Sequence, residues 1–191
     1  MVDELLTSRL RLRRWTYEDR DRLAAVFAKP EVWQFPFGRG FTVEETQAFL
    51  AYRIAEQATG GWADWATELR DSGQLVGYIG LSVPHFLPEV MPAVEIGWRL
   101  DPLVWGRGLA TEGARAALAH GFSSSDLSEV VSIYEPQNAA SGRVMVRLGM
   151  HFDRDTVHPT RNLALRVYRL SRAQWQRTAE EHGGHADDAA P

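Results

Sequence analysis

Two glycines stand immediately before a predicted helix, in the segment Trp105-Gly106-Arg107-Gly108-Leu109. Because neither glycine carries a Cβ, the backbone there can come close to a ligand. The free N–H groups at the start of a helix, together with the helix dipole, favour an anion, and such a group of donors suits a pyrophosphate. A Gly-x-Gly pair is also found in ordinary turns at helix starts, so this segment alone does not identify its ligand.

The glycine segment lacks the features of the two common nucleotide motifs. A P-loop requires Gly-Lys-Ser/Thr at the helix start, and the chain has no such triplet. A Rossmann fingerprint requires a third glycine three residues after Gly108, where Thr111 stands. An ATP- or NAD-dependent enzyme therefore fits the sequence poorly.

Composition restricts the chemistry further. The chain has 191 residues, no cysteine and a formal net charge of −4, with 45% hydrophobic and 24% charged residues. This length and balance are typical of one globular domain with a substantial core. The absence of cysteine excludes disulfides, thiolate metal sites and a cysteine nucleophile. Without a basic surplus, nothing favours nucleic acid as a partner.

The chain shows no targeting or membrane signal. Asp3 and Glu4 stand where a signal peptide needs cationic and apolar residues, and the longest apolar runs, such as 23–28, are too short to cross a bilayer. We therefore expect a cytoplasmic protein with no membrane partner. His182 and His185 have no supporting cluster of ligands, so we expect no metal site.

The elements that position the glycine segment follow from hydrophobic periodicity. Residues 8–15 alternate apolar residues with Arg9, Arg11 and Arg13, which predicts a strand with a solvated arginine face. Capping boxes of Thr16 with Asp19 and of Thr42 with Glu45 predict two helices. Further strands are predicted at 62–69, 75–83, 93–100, 129–134, 151–157 and 163–170, and further helices at 108–122 and 139–148. We therefore expect an α/β (α+β) domain with a mixed, mostly antiparallel central sheet of about six to seven strands flanked by helices.

An aromatic-rich loop at 32–38 lies between the first two predicted helices. Loops often carry specificity, so Trp33, Phe35 and Phe37 are candidates for a substrate-binding wall. The alternative is that these rings simply cover the core. The sequence leaves both interpretations open.

Three segments, at 95–98, 105–112 and 138–150, together resemble the GNAT superfamily of N-acetyltransferases. Within it they are similar to the RimJ/RimL-type group, which acetylates protein N-termini or related amines, and residues 7–13 are similar to that group's first strand. The superfamily has Gln or Arg at the position of Trp105, and this group commonly has Trp. The resemblance covers about residues 7 to 176 as one domain and leaves 177–191 as a polar tail that we expect to be disordered.

The resemblance implies acetyl-CoA as cosubstrate and no metal. In the family, backbone N–H groups of the glycine segment bind the pyrophosphate, and the preceding strand edge pairs with the pantetheine arm. Asn138 is by default a helix cap, and in relatives it also reaches the pantetheine arm. The expected acetyl-CoA contacts are Trp98, Arg99, Leu100, Gly106, Arg107, Gly108, Leu109, Ala110, Thr111 and Asn138.

Glu95 is the candidate general base, directly or through water. An amine that is charged at neutral pH must lose a proton before it can attack a thioester, and a carboxylate within hydrogen-bond reach can take that proton. The alternative is a strand carboxylate that is paired with an arginine or exposed to solvent.

The sequence indicates the general acid less directly than the general base. The superfamily often has a tyrosine seven residues after Asn138, where this chain has Met145, which cannot donate a proton. Ser141 lies one turn earlier on the same helix face and is the residue proposed to protonate the thiolate in RimJ/RimL-like relatives. Its alternative role is a hydrogen bond to a backbone carbonyl one turn back. Tyr134, at the end of the preceding strand, is the reserve candidate.

The expected function is N-acetyl transfer from acetyl-CoA to a primary amine, either a protein N-terminus or a small molecule. The absence of cysteine favours direct attack in a ternary complex over a covalent relay. A non-catalytic acyl-CoA-binding or interaction domain is the alternative, and Met145 is its best argument. The sequence does not identify the amine, and the resemblance admits a homodimer as well as a monomer.

Overall fold

The computed structural model describes residues 2–183, and within that range the backbone forms eight strands and six α-helices. The strands are β1 (Glu4–Leu6), β2 (Leu10–Arg13), β3 (Asp64–Leu69), β4 (Leu75–Ser82), β5 (Glu95–Leu100), β6 (Glu129–Tyr134), β7 (His151–Val157) and β8 (Ala164–Ser171). The helices are α1 (Arg20–Phe27), α2 (Gln34–Phe37), α3 (Val43–Ala58), α4 (Leu109–Ser124), α5 (Ala139–Arg147) and α6 (Arg172–Gly183).

The eight strands form one sheet in the order β1-β2-β3-β4-β5-β6-β8-β7. Every neighbouring pair is antiparallel except β5 and β6, so the expected mixed, mostly antiparallel sheet is confirmed. The number of strands is eight rather than six to seven. The additional strand is β1, which pairs with β2 through Leu5 and Leu12. Three residues are too few to show an alternating pattern in the sequence.

The two central parallel strands separate soon after they meet. β5 pairs with β4 along its whole length, from Glu95 opposite Ser82 to Leu100 opposite Gly77. Its pairing with β6 is confined to Glu95 opposite Val131. Beyond Glu95 a gap therefore runs between β5 and β6, and the edge of β5 that faces β6 is left open.

The faces of the sheet carry separate cores. Side chains alternate across a strand, so Ile79 packs in a core with α4 while Tyr78 packs against the core of α1 and α3. In β5, Ile96 belongs to the α4 core, which places Glu95 and Arg99 on the opposite face. We call these the α4 face and the α3 face. The positions of the candidate residues on β5 follow from this division.

The predicted capping boxes are confirmed, but one arginine of the first strand differs from expectation. The Glu45 N–H donates to Thr42 Oγ1 at 3.2 Å, and the Thr16 N–H donates to Asp19 Oδ2 at 3.0 Å. Arg13 is not solvated: its guanidinium pairs with Asp19 at 2.6 Å and with Glu68 at 2.7 Å, because the start of α1 covers that end of β2.

The predicted disordered tail is wrong at residues 177–183, which continue α6. This helix starts at a cap in which the Ser171 N–H and hydroxyl both donate to Gln174 Oε1, at 2.8 and 2.9 Å. Trp175 then packs on Phe122, with ring centroids 6.2 Å apart, and anchors the helix to the α4 core. The rest of the predicted tail, 184–191, lies outside the described residues. Along the described chain, none of the helices combines the length and apolarity that crossing a membrane requires.

Candidate active site

A cleft of about 1120 Å³ follows the gap between β5 and β6. On the α3 face it is lined by Glu95 and the aromatic segment, and on the α4 face by the glycine segment and the start of α5. Gly97 lies between the two sides, and no atom outside its immediate neighbours lies within 4 Å of where its Cβ would be. The cleft therefore connects the faces of the sheet at a point where the chain has no side chain.

The glycine segment has the backbone that the sequence predicts. Gly106 and Gly108 have φ angles of 73° and 78°, a left-handed region that other residues rarely adopt, and Gly108 is the N-cap of α4. Leu109, which is 1% exposed and belongs to the α4 core, and Thr111, which is 8% exposed, both line the cleft. This arrangement of open backbone at a helix start fits a pyrophosphate.

Arg107 is the residue of this segment that does not line the cleft. It is exposed, and its carbonyl accepts a hydrogen bond from Arg9 Nη1 at 2.9 Å. The expected acetyl-CoA contacts of Gly106, Gly108, Leu109, Ala110 and Thr111 thus share one surface, whereas Arg107 faces away from it.

The open edge of β5 presents main-chain groups to the gap. Ser132 Oγ donates to the Ile96 carbonyl at 2.9 Å, and Trp105 Nε1 donates to the Leu100 carbonyl at 2.8 Å. In an antiparallel ladder alternate residues face the same neighbour, so the Trp98 main chain points into the gap between these two. Trp98 therefore fits the expected pairing with the pantetheine arm, while the Leu100 carbonyl already has a partner.

Arg99 does not join the other expected acetyl-CoA contacts. Its guanidinium lies on the α3 face, 3.9 Å from the centre of the Trp33 ring, and donates to the Phe35 carbonyl at 3.0 Å and to the Val32 carbonyl. Arg99 is four residues after Glu95 on one strand, so the period of two already placed both side chains on one face. This spacing is the signal in the sequence that separates Arg99 from the acetyl-CoA contacts.

The aromatic segment, 32–38, is both a core cover and a wall of the cleft. Trp33 is 6% exposed and stacks on Phe41 with ring centroids 3.7 Å apart. Phe35 and Phe37 line the cleft beside it, and the Arg161 guanidinium lies 4.3 Å from the Phe37 ring centre. The segment begins within a 3-10 turn at Pro30–Trp33, and its short helix α2 is interrupted at Phe35, whose φ of −115° and ψ of 125° are extended. Arg99 donates to the carbonyls of Val32 and Phe35.

Glu95, the candidate general base, lies at the cleft. Its carboxylate accepts a hydrogen bond from the Ile133 N–H and lines the cleft, and it has no ion-pair partner among the side chains that the structure describes. Burial raises its pKa from 4.5 to about 7, while that hydrogen bond and the charges of Arg53 and Arg99 act in the opposite direction. The alternative of an arginine-paired carboxylate is therefore not what the structure shows.

The start of α5 carries the candidates for the opposite side of the transfer. Asn138 Oδ1 accepts from the Ser141 N–H at 3.2 Å, which confirms the predicted cap. Ser141 lines the cleft, and within the described part of the chain its hydroxyl makes no hydrogen bond, so the backbone-bonded alternative is absent there. Met145 is 1% exposed in the α4 core, which accounts for its type without reference to chemistry.

Tyr134, the reserve candidate, also lines the cleft. Its hydroxyl interacts with Arg166 and Tyr168. Its ring lies against Gly142, where a Cβ would be 2.9 Å from the tyrosine oxygen. The tyrosine therefore supports α5 from beneath, next to Ser141.

Two acidic residues that line the cleft, Asp64 and Glu135, were not predicted from the sequence. Asp64, 1% exposed, forms an ion pair with Arg53 at 3.0 Å, and burial raises its pKa. Glu135 lines the cleft with one carboxylate oxygen buried and, among the described residues, without a hydrogen-bond partner, and burial raises its pKa as well. Neither has a motif around it, because each is positioned by contacts that are remote in sequence. No three His, Asp or Glu side chains within 2–178 come together in an arrangement that could hold a metal ion.

A family profile described as an acetyltransferase (GNAT) domain matches residues 9–151, well over half of the chain. The chain belongs to the GNAT acetyltransferase family. YkkB of Bacillus subtilis is 30% identical over 154 residues, which cover 79% of this chain and 87% of YkkB. The FsC-acetyl coenzyme A-N(2)-transacetylase of Aspergillus fumigatus is 30% identical over 185 residues, 91% of this chain and 78% of that protein.

The fold is that of solved GNAT structures. RimL, described as a ribosomal L7/L12 alpha-N-protein acetyltransferase in complex with coenzyme A, superposes with a TM-score of 0.72 at 16% identity. The match covers 87% of this chain and 96% of RimL. In this GNAT domain the gap between β5 and β6 thus separates Glu95 on the α3 face from Ser141 on the α4 face.

Proposed function

We propose that the protein is an acetyl-CoA-dependent N-acetyltransferase that acetylates a primary amine, a protein N-terminus or a small molecule, by direct attack in a ternary complex. The gap between β5 and β6 carries this proposal, because it gives donor and acceptor separate entrances that meet at Gly97. Glycine-segment N–H groups and the Trp98 main chain hold acetyl-CoA from the α4 face, and the amine enters past the aromatic segment on the α3 face.

The proposed reaction uses one group on each side. Glu95 takes a proton from the ammonium, and a pKa of about 7 suits a base that works near neutral pH. The amine nitrogen bonds to the acetyl carbon, the carbon–sulfur bond breaks, and its electron pair remains on sulfur. The hydroxyl of Ser141 donates a hydrogen bond to the developing sulfur charge. As the amide forms, the nitrogen loses a second proton, and the thiolate takes up one proton to become the free thiol. Protons and charge therefore balance.

We place the protein in the RimJ/RimL-type group on two residues. Ser141 stands where that group uses a serine, and Trp105 stands where it commonly has a tryptophan. The structure supplies a physical reason for the tryptophan, since its Nε1 holds the Leu100 carbonyl beside the glycine segment. An acceptor of this group's kind, a protein N-terminus, is the first to test.

An acceptor screen with acetyl-CoA tests the proposal. Release of free thiol is measured against N-terminal peptides, amino sugars, polyamines and small amines, and coenzyme A binding is measured by calorimetry. We expect amine-dependent thiol release that Glu95→Gln lowers strongly at neutral pH. Coenzyme A binding without thiol release for any amine would instead indicate a non-catalytic acyl-CoA-binding domain.

A further inference from the structure

We infer that Arg9 and Glu112 position the glycine segment for the pyrophosphate of acetyl-CoA, so that Arg9 controls donor affinity without touching the donor's reacting atoms. We call this pair the Arg9–Glu112 strut. The inference rests on the proposed function, because it assigns the strut to that same donor site.

The strut begins at a carboxylate with several donors. Glu112 Oε1, in the first turn of α4, accepts from the Thr7 hydroxyl at 2.6 Å, the Ser8 hydroxyl at 3.0 Å and the Arg9 N–H at 2.9 Å. Its Oε2 accepts from Arg9 Nε at 2.7 Å. Although partial burial opposes ionisation, these hydrogen bonds hold the pKa of Glu112 below its usual value. The turn between β1 and β2 is thereby fixed to the start of α4.

The third nitrogen of the Arg9 guanidinium, Nη1, contacts the glycine segment. It donates to the Arg107 carbonyl at 2.9 Å, between Gly106 and Gly108. A trans peptide is planar, with its C=O and N–H pointing in opposite directions. Holding the Arg107 carbonyl toward Arg9 therefore turns the Gly108 N–H away from Arg9, and Gly108 lines the cleft whereas Arg9 does not.

The position needs this restraint because of the glycines that surround it. Glycine permits many backbone conformations, and a peptide flip at 107–108 would direct a carbonyl oxygen instead of an N–H toward the anion. Arginine alone has a planar fork that can bond a carboxylate and a carbonyl together, whereas lysine has a single nitrogen. The strut is therefore specific to arginine rather than to positive charge.

The test compares Arg9→Lys with the matched control Arg11→Lys. Arg11 is exposed to a similar extent, 49% against 47% for the side chain of Arg9, and pairs with Glu4, away from the glycine segment. We expect Arg9→Lys to raise the KM for acetyl-CoA by about tenfold, with kcat and the KM for the amine close to wild type. Arg11→Lys should leave all three values unchanged.

A second donor separates positioning from general damage. Acetyl-pantetheine has no pyrophosphate, so the strut should not affect its use. With this donor we expect Arg9→Lys and Arg11→Lys to have the same kcat/KM, each expressed relative to wild type. An equal loss with both donors, or no loss with acetyl-CoA, would overturn the inference. If wild type releases no thiol with any amine, the proposed function fails instead, and calorimetry of coenzyme A against pantetheine then tests the strut by itself.

Discussion

At the residue scale, Glu95 is the side chain on which the proposed chemistry depends. It has a raised pKa because burial disfavours its charge, and a hydrogen bond from the Ile133 N–H offsets this only in part. A carboxylate with the usual pKa would be a much weaker base toward an ammonium. The cleft thus gives Glu95 a basicity suited to neutral pH, while Ser141, the proposed hydrogen-bond donor to the thiolate, lies on the other side of the gap.

Glu95→Gln and Ser141→Ala should differ in their response to pH. Glutamine keeps the shape but takes no proton, so kcat should fall by roughly 10²-fold at pH 7. High pH should partly restore it, because the amine then arrives deprotonated. Wild type should lose activity as pH falls below about 7, where Glu95 becomes protonated.

Ser141→Ala is the comparison in the same pH–rate measurements. It acts on the departing thiolate, so high pH should not restore its rate in that way. Both variants should retain coenzyme A affinity near wild type. A Glu95→Gln variant that matches wild type across the pH range would assign the proton to solvent or to another residue.

At the element scale, the site depends on where α5 starts and on what holds the aromatic segment in place. α5 begins at the Asn138 cap and directs Ser141 toward the cleft. The aromatic segment is held against β5 by Arg99. These two attachments lie on the proposed donor and acceptor sides of the cleft.

Asn138→Ala tests the first attachment against the matched control Thr42→Ala. Each variant removes a helix cap and should cost about 1 kcal/mol of folding free energy. Asn138→Ala should in addition weaken coenzyme A binding, by about 0.5–1.5 kcal/mol for a lost ligand hydrogen bond. Thermal melts and calorimetry provide both values. Equal affinities in the two variants would show that Asn138 is a cap and nothing more.

Arg99→Met tests the second attachment. Methionine fills similar space but cannot donate to the carbonyls of Val32 and Phe35, so the aromatic segment should lose its fixed position. We expect the KM for the amine to rise by about tenfold, with the KM for acetyl-CoA little changed. The opposite split, in which acetyl-CoA is affected, would restore Arg99 to the donor contacts that the resemblance implies.

At the scale of the whole molecule, the cleft lowers the stability of the domain that contains it. Burial raises the pKa of Asp64, Glu95 and Glu135, all of which line it, so each ionises less readily in the folded than in the unfolded chain. The ion pairs with Arg13 hold the pKa values of Asp19 and Glu68 below their usual values, although burial opposes this. Those two carboxylates therefore contribute stability at neutral pH.

Glu95→Gln should make the protein more stable at high pH. The unfolded chain releases the Glu95 proton near pH 4.5, whereas the folded chain keeps it until about pH 7. Wild type therefore loses stability as pH rises between these values, by at most about 3 kcal/mol. Denaturant titrations should show the variant matching wild type near pH 4.5 and exceeding it at pH 8. The exposed Glu18→Gln is the control, and a pH-independent difference would contradict the prediction.

The sequence by itself determined the features that depend on near neighbours. The backbone of Gly106 and Gly108, the caps at Thr42 and Asn138, and most strand ranges follow from local sterics and short-range hydrogen bonds. The motif order also indicated the GNAT family. Roles assigned to Glu95, Ser141 and the acetyl-CoA contacts, the homodimer and the cytoplasmic location stay predictions.

Only the tertiary structure decided which faces and partners these residues have. No local signal in the sequence predicts four features: the separation of β5 from β6, the added strand β1, the continuation of α6 and the ion pairs that cover Arg13. Arg99 binds the Val32 carbonyl 67 positions away, and Arg9 binds Glu112 across 103 positions. A sequence pattern records what a residue prefers over a turn or two, whereas such contacts arise only when the whole chain has packed.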